Sequence, residues 1–240
     1  MSVIVVPARI QSKRLYGKPL IKIGGVPLIV KVVQRCLLSK ADHVAVITDS
    51  RDIYEVCCKE TEVNVILDDT DVQTGTDRVA IAAEKYSDNI IVNVQCDEPF
   101  LPEELINNVI SDLENADTNY INSCYTIISE KDAMNPNNVK VVLDKDNFAL
   151  YFSRALIPFH RENVENKCYY KHIGIYGFYR DVLMNFRSLE EGLLEKVEKL
   201  EQLRALENNI KIKMLEWHSD IVSINTYEDV VLAENSLKGN

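Results

Sequence analysis

The sequence lacks a long apolar run and a basic leader segment, two features that would connect the chain with a membrane. No stretch of its 240 residues approaches the roughly 18 to 20 uninterrupted apolar residues that a membrane span requires. The opening residues, MSVIVVPARI, carry no basic segment ahead of a long apolar one. We therefore expect a cytoplasmic protein without a membrane partner.

Basic residues are also scarce. The chain has 27 Lys and Arg against 37 Asp and Glu, which gives a formal net charge of −10. A nucleic-acid binder needs a broad basic face to neutralise phosphates, so we expect no nucleic-acid partner. Any anionic ligand must instead be bound by a local group of basic side chains.

The chain contains neither a recognisable metal or disulfide pattern nor a glycine-rich nucleotide motif. Its six cysteines are scattered, without a CxxC pair or histidines at ligand spacing, so they are interpreted as reduced and mostly buried thiols. The motifs GxxxxGK[ST] and GxGxxG are both absent. The sequence therefore supports neither a P-loop ATPase nor a typical dinucleotide-dependent dehydrogenase.

The first half of the chain alternates between two kinds of segment, while 46% hydrophobic residues are ample for one core. Continuous β-branched runs predict buried strands at residues 3–6, 43–47, 63–67 and 90–94, and helical patterns cover residues 27–39, 51–60 and 77–86. This alternation predicts a parallel sheet with right-handed crossovers. Ligands of such sheets bind beyond the carboxyl ends of the strands, which makes the loops after the strands the candidate site.

The second half has a different texture. Strand-like segments at residues 120–127, 139–143, 149–152 and 169–179 follow one another through short or irregular loops, which predicts a mixed sheet. We expect residues 154–167 to form a longer connection between two of these segments. A single charged helix over residues 189–209, a strand over residues 211–217 and a last helix over residues 226–237 complete the prediction.

The loop after the first strand, PARIQSKRLYGKPL, concentrates positive charge in an otherwise acidic chain. A turn containing Ser12 and Gly17 could offer backbone N–H groups to phosphate oxygens, and Arg9, Arg14 and Lys18 could add charge-assisted hydrogen bonds. The alternative is a set of solvated surface charges. Because four basic residues follow a buried strand within ten positions, we favour a triphosphate site.

Two further loops complete the candidate site. In QCDEP, after the fourth strand, Asp97 could hold Mg²⁺ against phosphate oxygens, whereas Glu98 could simply cap the helix that begins near residue 102. In QTGTDR, Gln73 and Thr74 could face a nucleobase while Thr76 or Asp77 caps the following helix.

Seven segments together resemble, in order, those of the 3-deoxy-manno-octulosonate (KDO) cytidylyltransferase family. They are PAR with SKRLYGKPL, TD at residues 48–49, QTGTDR, VNVQCDEP, YFSRALIPFHR, HIGIYGF and LEKVEKLEQLR. The resemblance covers nearly the whole chain.

The resemblance implies a three-layer, Rossmann-like α/β nucleotidyltransferase fold with a mostly parallel sheet. It implies a single domain over residues 1–240, in which residues 120–180 contain a smaller β-rich arm used in homodimer contact. The implied reaction transfers CMP from CTP to the anomeric hydroxyl of KDO or a close analogue, with release of pyrophosphate, for surface polysaccharide such as lipopolysaccharide or capsule. The implied partners are CTP and an acidic sugar, and the implied cofactor is Mg²⁺.

The resemblance also implies roles for individual residues. Those matching the nucleotide site are Pro7, Ala8, Arg9, Ser12 and Lys18 at the triphosphate, with Gln73, Thr74 and Gly75 near the cytosine and ribose. Those matching the sugar-acid site are Gln95, Arg154, His172, Tyr176, Glu201 and Gln202. Asp97 and Asn225 match the metal ligands, and Arg9, Lys18 and Asp97 match the residues assigned to catalysis.

Three positions depart from the family pattern. Tyr16 stands where the family usually has proline, Cys96 where it has glycine, and Asn225 where it has a metal-binding aspartate. An amide oxygen brings no charge, so metal binding at Asn225 should be weaker unless Asp220 or Asp229 compensates.

Several alternatives stay open at the level of sequence. The acceptor could be another acidic sugar, of the sialic-acid type or 8-amino-KDO, because a few contacts decide sugar specificity. A non-catalytic nucleotide-binding protein on the same scaffold would fit Asn225 and Cys96, although Arg9, Lys18 and Asp97 argue against it. A glycosyltransferase is less favoured because QCDEP offers a single metal aspartate in place of a DxD pair.

Overall fold

A computed structural model describes residues 1–11, 15–72, 74–162, 167–219 and 221–238. The strands are β1 (Ser2–Ala8), β2 (Lys22–Ile23), β3 (Val26–Pro27), β4 (His43–Thr48), β5 (Asn64–Leu67), β6 (Ile90–Val94), β7 (Ile121–Ile128), β8 (Lys140–Leu143), β9 (Ala149–Ser153), β10 (Tyr169–Tyr179) and β11 (Ile212–Glu216). The helices are α1 (Leu28–Leu37), α2 (Arg51–Glu60), α3 (Gly75–Ala83), α4 (Glu103–Glu114), α5 (Glu130–Ala133), α6 (Arg180–Ser188), α7 (Leu193–Glu198), α8 (Gln202–Glu207) and α9 (Tyr227–Lys238).

One large sheet organises the described ranges. Its main path runs β11-β7-β10-β6-β1-β4-β5, with β8 paired to β10 and β9 paired to β8. Strands β6, β1, β4 and β5 are mutually parallel, whereas β10 lies antiparallel to both β6 and β7. The predicted parallel first half and mixed second half are therefore both confirmed.

Helices cover both faces of the sheet, which gives three layers. Helices α1, α2 and α4 pack on one face in a cluster that includes Val33, Ile53 and Ile106. Helices α3, α6 and α8 pack on the other face around Phe186 and Leu203. A strand buried on both faces requires apolar side chains at every position, which explains the continuous apolar run of β1.

The register brings the predicted loops to one edge of the sheet. Ala8, at the end of β1, pairs with Thr48, at the end of β4, and Val5 pairs with Asn93 near the end of β6. Because these strands are parallel, the segments that follow them emerge on the same side.

The predicted single helix over residues 189–209 is wrong. The chain forms α7 and α8 instead, separated by Lys199 in a left-handed conformation with φ 54°. The Glu198 carboxylate accepts hydrogen bonds from Ser153 Oγ at 2.6 Å and from the Arg154 backbone N–H at 2.9 Å. These tertiary contacts fix the end of α7, where Val197 is 72% exposed.

No helix in the described ranges is both long enough and apolar enough to cross a membrane.

Candidate active site

A cavity of about 870 Å³ opens beyond the carboxyl end of β6. It brings together residues that are far apart in the chain and that the family resemblance assigned to one site. The predicted residues in its wall are Thr74, Gln95, Asp97, Arg154, His172, Tyr176, Glu201, Gln202 and Asn225. All six predicted sugar-acid residues therefore share one cavity with both predicted metal ligands.

A second cavity of about 670 Å³ lies between the first and third loops, with Arg9, Tyr16, Asp49 and Arg78 in its wall. The Arg9 guanidinium donates to the carbonyl of Val72 at 2.6 Å and to that of Thr74 at 2.9 Å. In this conformation Arg9 therefore fastens the two loops together.

The remaining predicted nucleotide residues lie beside these loops. Pro7 and Ala8 are the last residues of β1, and a Cβ at Gly75 would stand 3.7 Å from the Pro7 side chain and 3.5 Å from that of Gln95. These are ordinary van der Waals distances, so Gly75 packs directly beside Pro7 and Gln95. Ser12 and Gln73, like Arg14, lie outside the described residues.

The third loop is fixed by a cap in which Asp77 takes part, as one of the two predicted alternatives stated, whereas Thr76 does not. Thr74 is the N-cap of α3: its hydroxyl accepts from the Asp77 N–H, and the Asp77 carboxylate accepts from the Thr74 N–H. This reciprocal pair is a capping box. Thr76 does not cap, because its hydroxyl donates to Glu201 instead.

Lys18 joins three segments at the wall of the larger cavity. Its ammonium group lies 2.8 Å from Asp97 Oδ2 and 2.9 Å from the Ile224 carbonyl oxygen. The Ile224 N–H donates to the Asp97 carbonyl at 2.9 Å, which places Asn225 next to the Asp97 loop. Gly17, with φ 67°, turns the chain immediately before Lys18 in a conformation that favours glycine.

The donor set around Asp97 suits Mg²⁺. Asp97 and Asn225 both offer side-chain oxygens, and Mg²⁺ typically takes one or two protein carboxylates while phosphates and water complete its shell. The described residues contain no group of three or more His, Cys, Asp or Glu that could hold a metal ion without such ligands. Oxygen donors from this chain therefore fit a magnesium ion that is bound together with a triphosphate.

Compensation for Asn225 by Asp229 is not supported. Asp229 Oδ2 accepts from the backbone N–H groups of Asn225 and Thr226, both at 2.8 Å, and so caps the start of α9. Asp220, the other candidate, lies outside the described residues.

Arg154, in the wall of the same cavity, is oriented by backbone carbonyls. Its Nε donates to the Glu198 carbonyl at 2.9 Å, and its terminal nitrogens donate to the carbonyls of Pro136 at 3.1 Å and Lys199 at 3.4 Å. Carbonyl groups orient a guanidinium without cancelling its positive charge. The charge therefore remains available to a carboxylate in the cavity.

A fully buried lysine, which the sequence reading did not identify, supports Arg154 from behind. The Lys140 ammonium donates to the carbonyls of Asn135, Asn138 and Arg154 at 3.2, 2.6 and 2.8 Å. Burial lowers the pKa of Lys140. Lys140 stands in the strand-like run KVVL, and nothing in that local pattern indicates this role.

Glu98 is a second residue whose role differs from the sequence interpretation. The cap position of α4 is Pro102, whereas the Glu98 carboxylate accepts from Ser223 Oγ at 2.7 Å in the wall of the cavity. Burial, assisted by the neighbouring Asp97, raises the pKa of Glu98 to about 8. A Cβ at Gly174 would lie 3.3 Å from Glu98 Oε1, so this first glycine of HIGIYGF makes room for the carboxyl group.

Glu201, Tyr176 and Gln202 form the floor near the third loop. Burial raises the pKa of Glu201, and hydrogen bonds from Thr76 and Thr74 offset part of that rise. Burial also raises the pKa of Tyr176, and Glu201 adds to that shift. Gln202 Nε2 is buried without a hydrogen-bond partner among the described residues.

His172 lies within β10 and is neutral. Ser123 Oγ donates to the Ile175 carbonyl at 2.7 Å and so accepts from His172 Nε2–H at 2.9 Å. That leaves Nδ1 as an acceptor. Burial lowers the pKa of His172 to about 3.

The pKa of His172 predicts an acid-dependent loss of stability. Its ordinary value is 6.5, so between pH 6.5 and 3 the unfolded chain binds a proton there that the folded chain does not. Stability falls as pH falls through this window, by about 1.4 kcal/mol per pH unit at most. Urea unfolding at pH 7.0 and 5.0 should show a smaller acid effect, by roughly 2 kcal/mol, in His172→Gln than in the natural protein. Equal acid effects in both proteins would contradict a neutral, half-buried His172.

The sheet architecture, the basic first loop and Asp97 at the cavity wall place this chain among the nucleotidyltransferases. The family model of cytidylyltransferases matches residues 3–212. A 3-deoxy-manno-octulosonate cytidylyltransferase of Fusobacterium nucleatum is 39% identical over 238 residues, which cover 98% of this chain and 96% of that protein. The chain belongs to the 3-deoxy-manno-octulosonate cytidylyltransferase family.

Other relatives agree with this placement. The corresponding protein of Francisella philomiragia is 43% identical over 218 residues, which cover 87% of each chain. A solved CMP:2-keto-3-deoxy-manno-octonic acid synthetase in complex with CTP superposes with a TM-score of 0.93 at 33% identity, over 99% of this chain and 98% of that one. A glucose-1-phosphate thymidylyltransferase of Bacillus anthracis, only 14% identical with a TM-score of 0.72, shares the fold.

Proposed function

We propose that this protein transfers CMP from CTP to the anomeric hydroxyl of KDO, or of a close analogue, and releases pyrophosphate. The observation that carries the proposal is the position of Asp97. It lies in the wall of the cavity that contains all six predicted sugar residues, and Lys18 joins it to the basic first loop. A triphosphate at the loop and a sugar acid in the cavity would meet at this point.

The nucleotide is assigned to the edge formed by the first and third loops. Arg9 and Lys18 bring positive charge to the triphosphate, and the cap at Thr74 fixes the loop that faces the base. The full set proposed for CTP is Pro7, Ala8, Arg9, Ser12, Lys18, Gln73, Thr74 and Gly75. Binding of phosphate oxygens by Lys18 would loosen its contact with Asp97 and free that carboxylate for Mg²⁺.

Magnesium is assigned to Asp97 and Asn225. When bound, the ion neutralises charge on the phosphate oxygens and makes the α-phosphorus easier to attack. The protein residues supply the rest: Arg9 and Lys18 stabilise developing charge, and the cavity holds the sugar in line with the α-phosphorus.

The sugar acid supplies its own nucleophile. Arg154 is assigned to its carboxylate, and Gln95, His172, Tyr176, Glu201 and Gln202 to its hydroxyls. The anomeric oxygen forms a bond to the α-phosphorus while the bond from that phosphorus to the bridging oxygen of pyrophosphate breaks. The hydroxyl proton passes to solvent.

The loss of an aspartate at position 225 predicts a gain when it is restored. Asn225→Asp adds a negative charge at the proposed metal site, so the Mg²⁺ concentration for half-maximal activity should fall about tenfold. Titration of Mn²⁺ binding by electron paramagnetic resonance, in the presence of CTP, gives a readout that does not depend on turnover. Unchanged metal affinity in Asn225→Asp would remove Asn225 from the metal site.

We further propose one domain over residues 1–240 and a homodimer formed through the β-rich arm at residues 120–180. Apolar side chains on and beside the arm support this contact: Ile127 is 54% exposed, Leu150 61% and Phe159 85%. Light scattering during size-exclusion chromatography should give twice the 27.4 kDa chain mass. Because the reaction consumes CTP, we assign it to the cytoplasm, where it would serve surface polysaccharide synthesis.

The assay for the proposed function is pyrophosphate release with Mg²⁺ and CTP. KDO, an 8-amino octulosonate and sialic acid are offered as acceptors, and ATP, GTP and UTP serve as nucleotide controls. The proposal predicts turnover with CTP and KDO or its 8-amino analogue, and little with the other nucleotides. CTP binding without turnover on any acceptor would contradict it and favour a regulatory nucleotide-binding protein.

A further inference from the structure

Two residues of the proposed sugar site are connected through the interior of the protein. Gln95 Nε2 donates to Asn93 Oδ1 at 2.8 Å, and Asn93 Nδ2 donates to Thr76 Oγ1 at 3.1 Å. The Thr76 hydroxyl then donates to Glu201 Oε1. We call this series, Gln95–Asn93–Thr76–Glu201, the buried network.

The two middle residues do not face the larger cavity. Asn93 is 0% exposed and Thr76 is 1% exposed, and neither belongs to the wall formed by the described residues, whereas Gln95 and Glu201 both do. Asn93 comes from β6, Thr76 from the first turn of α3, and Glu201 from the start of α8. The buried network therefore links three elements that only the tertiary fold brings together.

With Glu201 ionised, the hydrogen bonds of the buried network run in one direction. The Glu201 carboxylate accepts, so the Thr76 hydroxyl must donate to it and must itself accept from the Asn93 amide nitrogen. The Asn93 oxygen then faces Gln95, which has to donate through its own amide nitrogen. This orientation leaves Gln95 Oε1 as the acceptor that Gln95 offers to a ligand.

We infer that Asn93 and Thr76 are positioning residues that orient Gln95 and Glu201 as hydrogen-bond acceptors for the hydroxyl groups of the sugar acid. This inference rests on the proposed function, and it adds two residues that contribute to sugar recognition without touching the sugar. A site with fixed acceptors discriminates against acceptors that lack the matching hydroxyl, because its buried oxygens would then be left unpaired.

The first test replaces the hydroxyl of Thr76 with a methyl group of similar size. Thr76→Val removes both hydrogen bonds of the hydroxyl, so we expect KM for the sugar to rise about tenfold, with KM for CTP unchanged within about twofold. Thr76→Ser keeps the hydroxyl and should restore the sugar KM. Because Thr76 follows Gly75 of the proposed nucleotide site, general damage to this turn would raise both KM values together.

The second test uses a matched pair of buried amides. Asn93→Ser shortens a residue of the buried network, whereas Asn122→Ser shortens an equally buried asparagine of β7. The Asn122 amide donates to the Val109 carbonyl and to Asp112, away from the cavity. Both variants should unfold at lower temperature, but only Asn93→Ser should raise the sugar KM. This pair decides the question even if Thr76→Val fails to fold.

The outcomes separate this inference from the proposed function. If the natural protein turns over an octulosonate but Thr76→Ser is as impaired as Thr76→Val, or Asn122→Ser raises the sugar KM as much as Asn93→Ser, the positioning role is wrong. If the natural protein turns over no acceptor in the same assay, the proposed function fails instead.

Discussion

Asp97→Asn is expected to lower kcat/KM by on the order of 10³-fold, the largest effect of any substitution considered for this protein. The change removes the one negative charge that the site places at both the proposed metal and Lys18, 2.8 Å away. It conserves size, and Lys18 keeps its bond to the Ile224 carbonyl, so the loops should stay in place. Charge at the phosphates, and not packing, is what the variant loses.

The measurement is steady-state pyrophosphate release over a range of Mg²⁺ concentrations, together with thermal unfolding. Asp144→Asn is the matched control, because that carboxylate accepts two backbone hydrogen bonds in the β8–β9 turn, outside both cavity walls. We expect full activity in the control. Activity of Asp97→Asn within a few-fold of the natural protein would remove Asp97 from the metal site.

Arg154→Met is expected to lower kcat/KM for the sugar acid about 100-fold, because two charge-assisted hydrogen bonds to the substrate carboxylate would be lost. KM for CTP should change little. Arg154→Lys should recover only part of the loss, since an ammonium group cannot form a fork with two parallel bonds.

Arg180 provides a control for the structural part of this effect. Its guanidinium, like that of Arg154, donates to backbone carbonyls, here those of Ala83, Tyr86 and Asp88, but it lies outside the wall of the cavity. Arg180→Met should lower the unfolding temperature without raising the sugar KM. If both methionine variants raise the sugar KM equally, Arg154 acts by supporting the fold and does not read the carboxylate.

The parallel half of the fold could be predicted because its strands carry their own signal. A strand buried on both faces favours a nearly continuous apolar run, as in VIVV of β1 and in IIVNV of β6, where Asn93 is the one polar residue. The helices between such strands follow from the crossover rule. The basic first loop could also be identified from the sequence, because its positive charge contrasts with the acidic rest of the chain.

The details that failed depend on contacts between distant residues. The break at Lys199 follows from the hydrogen bonds of Glu198 to Ser153 and Arg154, which no local helical pattern can contain. In the same way, the buried position of Glu98 depends on Ser223 and on the space left by Gly174. Residues of the sugar cavity were grouped by family resemblance, and the strand order, with β10 beside β6, explains why His172 and Tyr176 lie near Gln95.

The most direct test of the central claim follows the oxygen of the sugar. KDO labelled with ¹⁸O at the anomeric hydroxyl is incubated with CTP, Mg²⁺ and the protein, and the products are examined by ³¹P NMR and mass spectrometry. If the sugar hydroxyl attacks the α-phosphorus, the label appears in the bridge between CMP and the sugar, the pyrophosphate carries none, and the two products form in equal amounts. Formation of free CMP and pyrophosphate, with all the label left in unreacted sugar, would contradict the account.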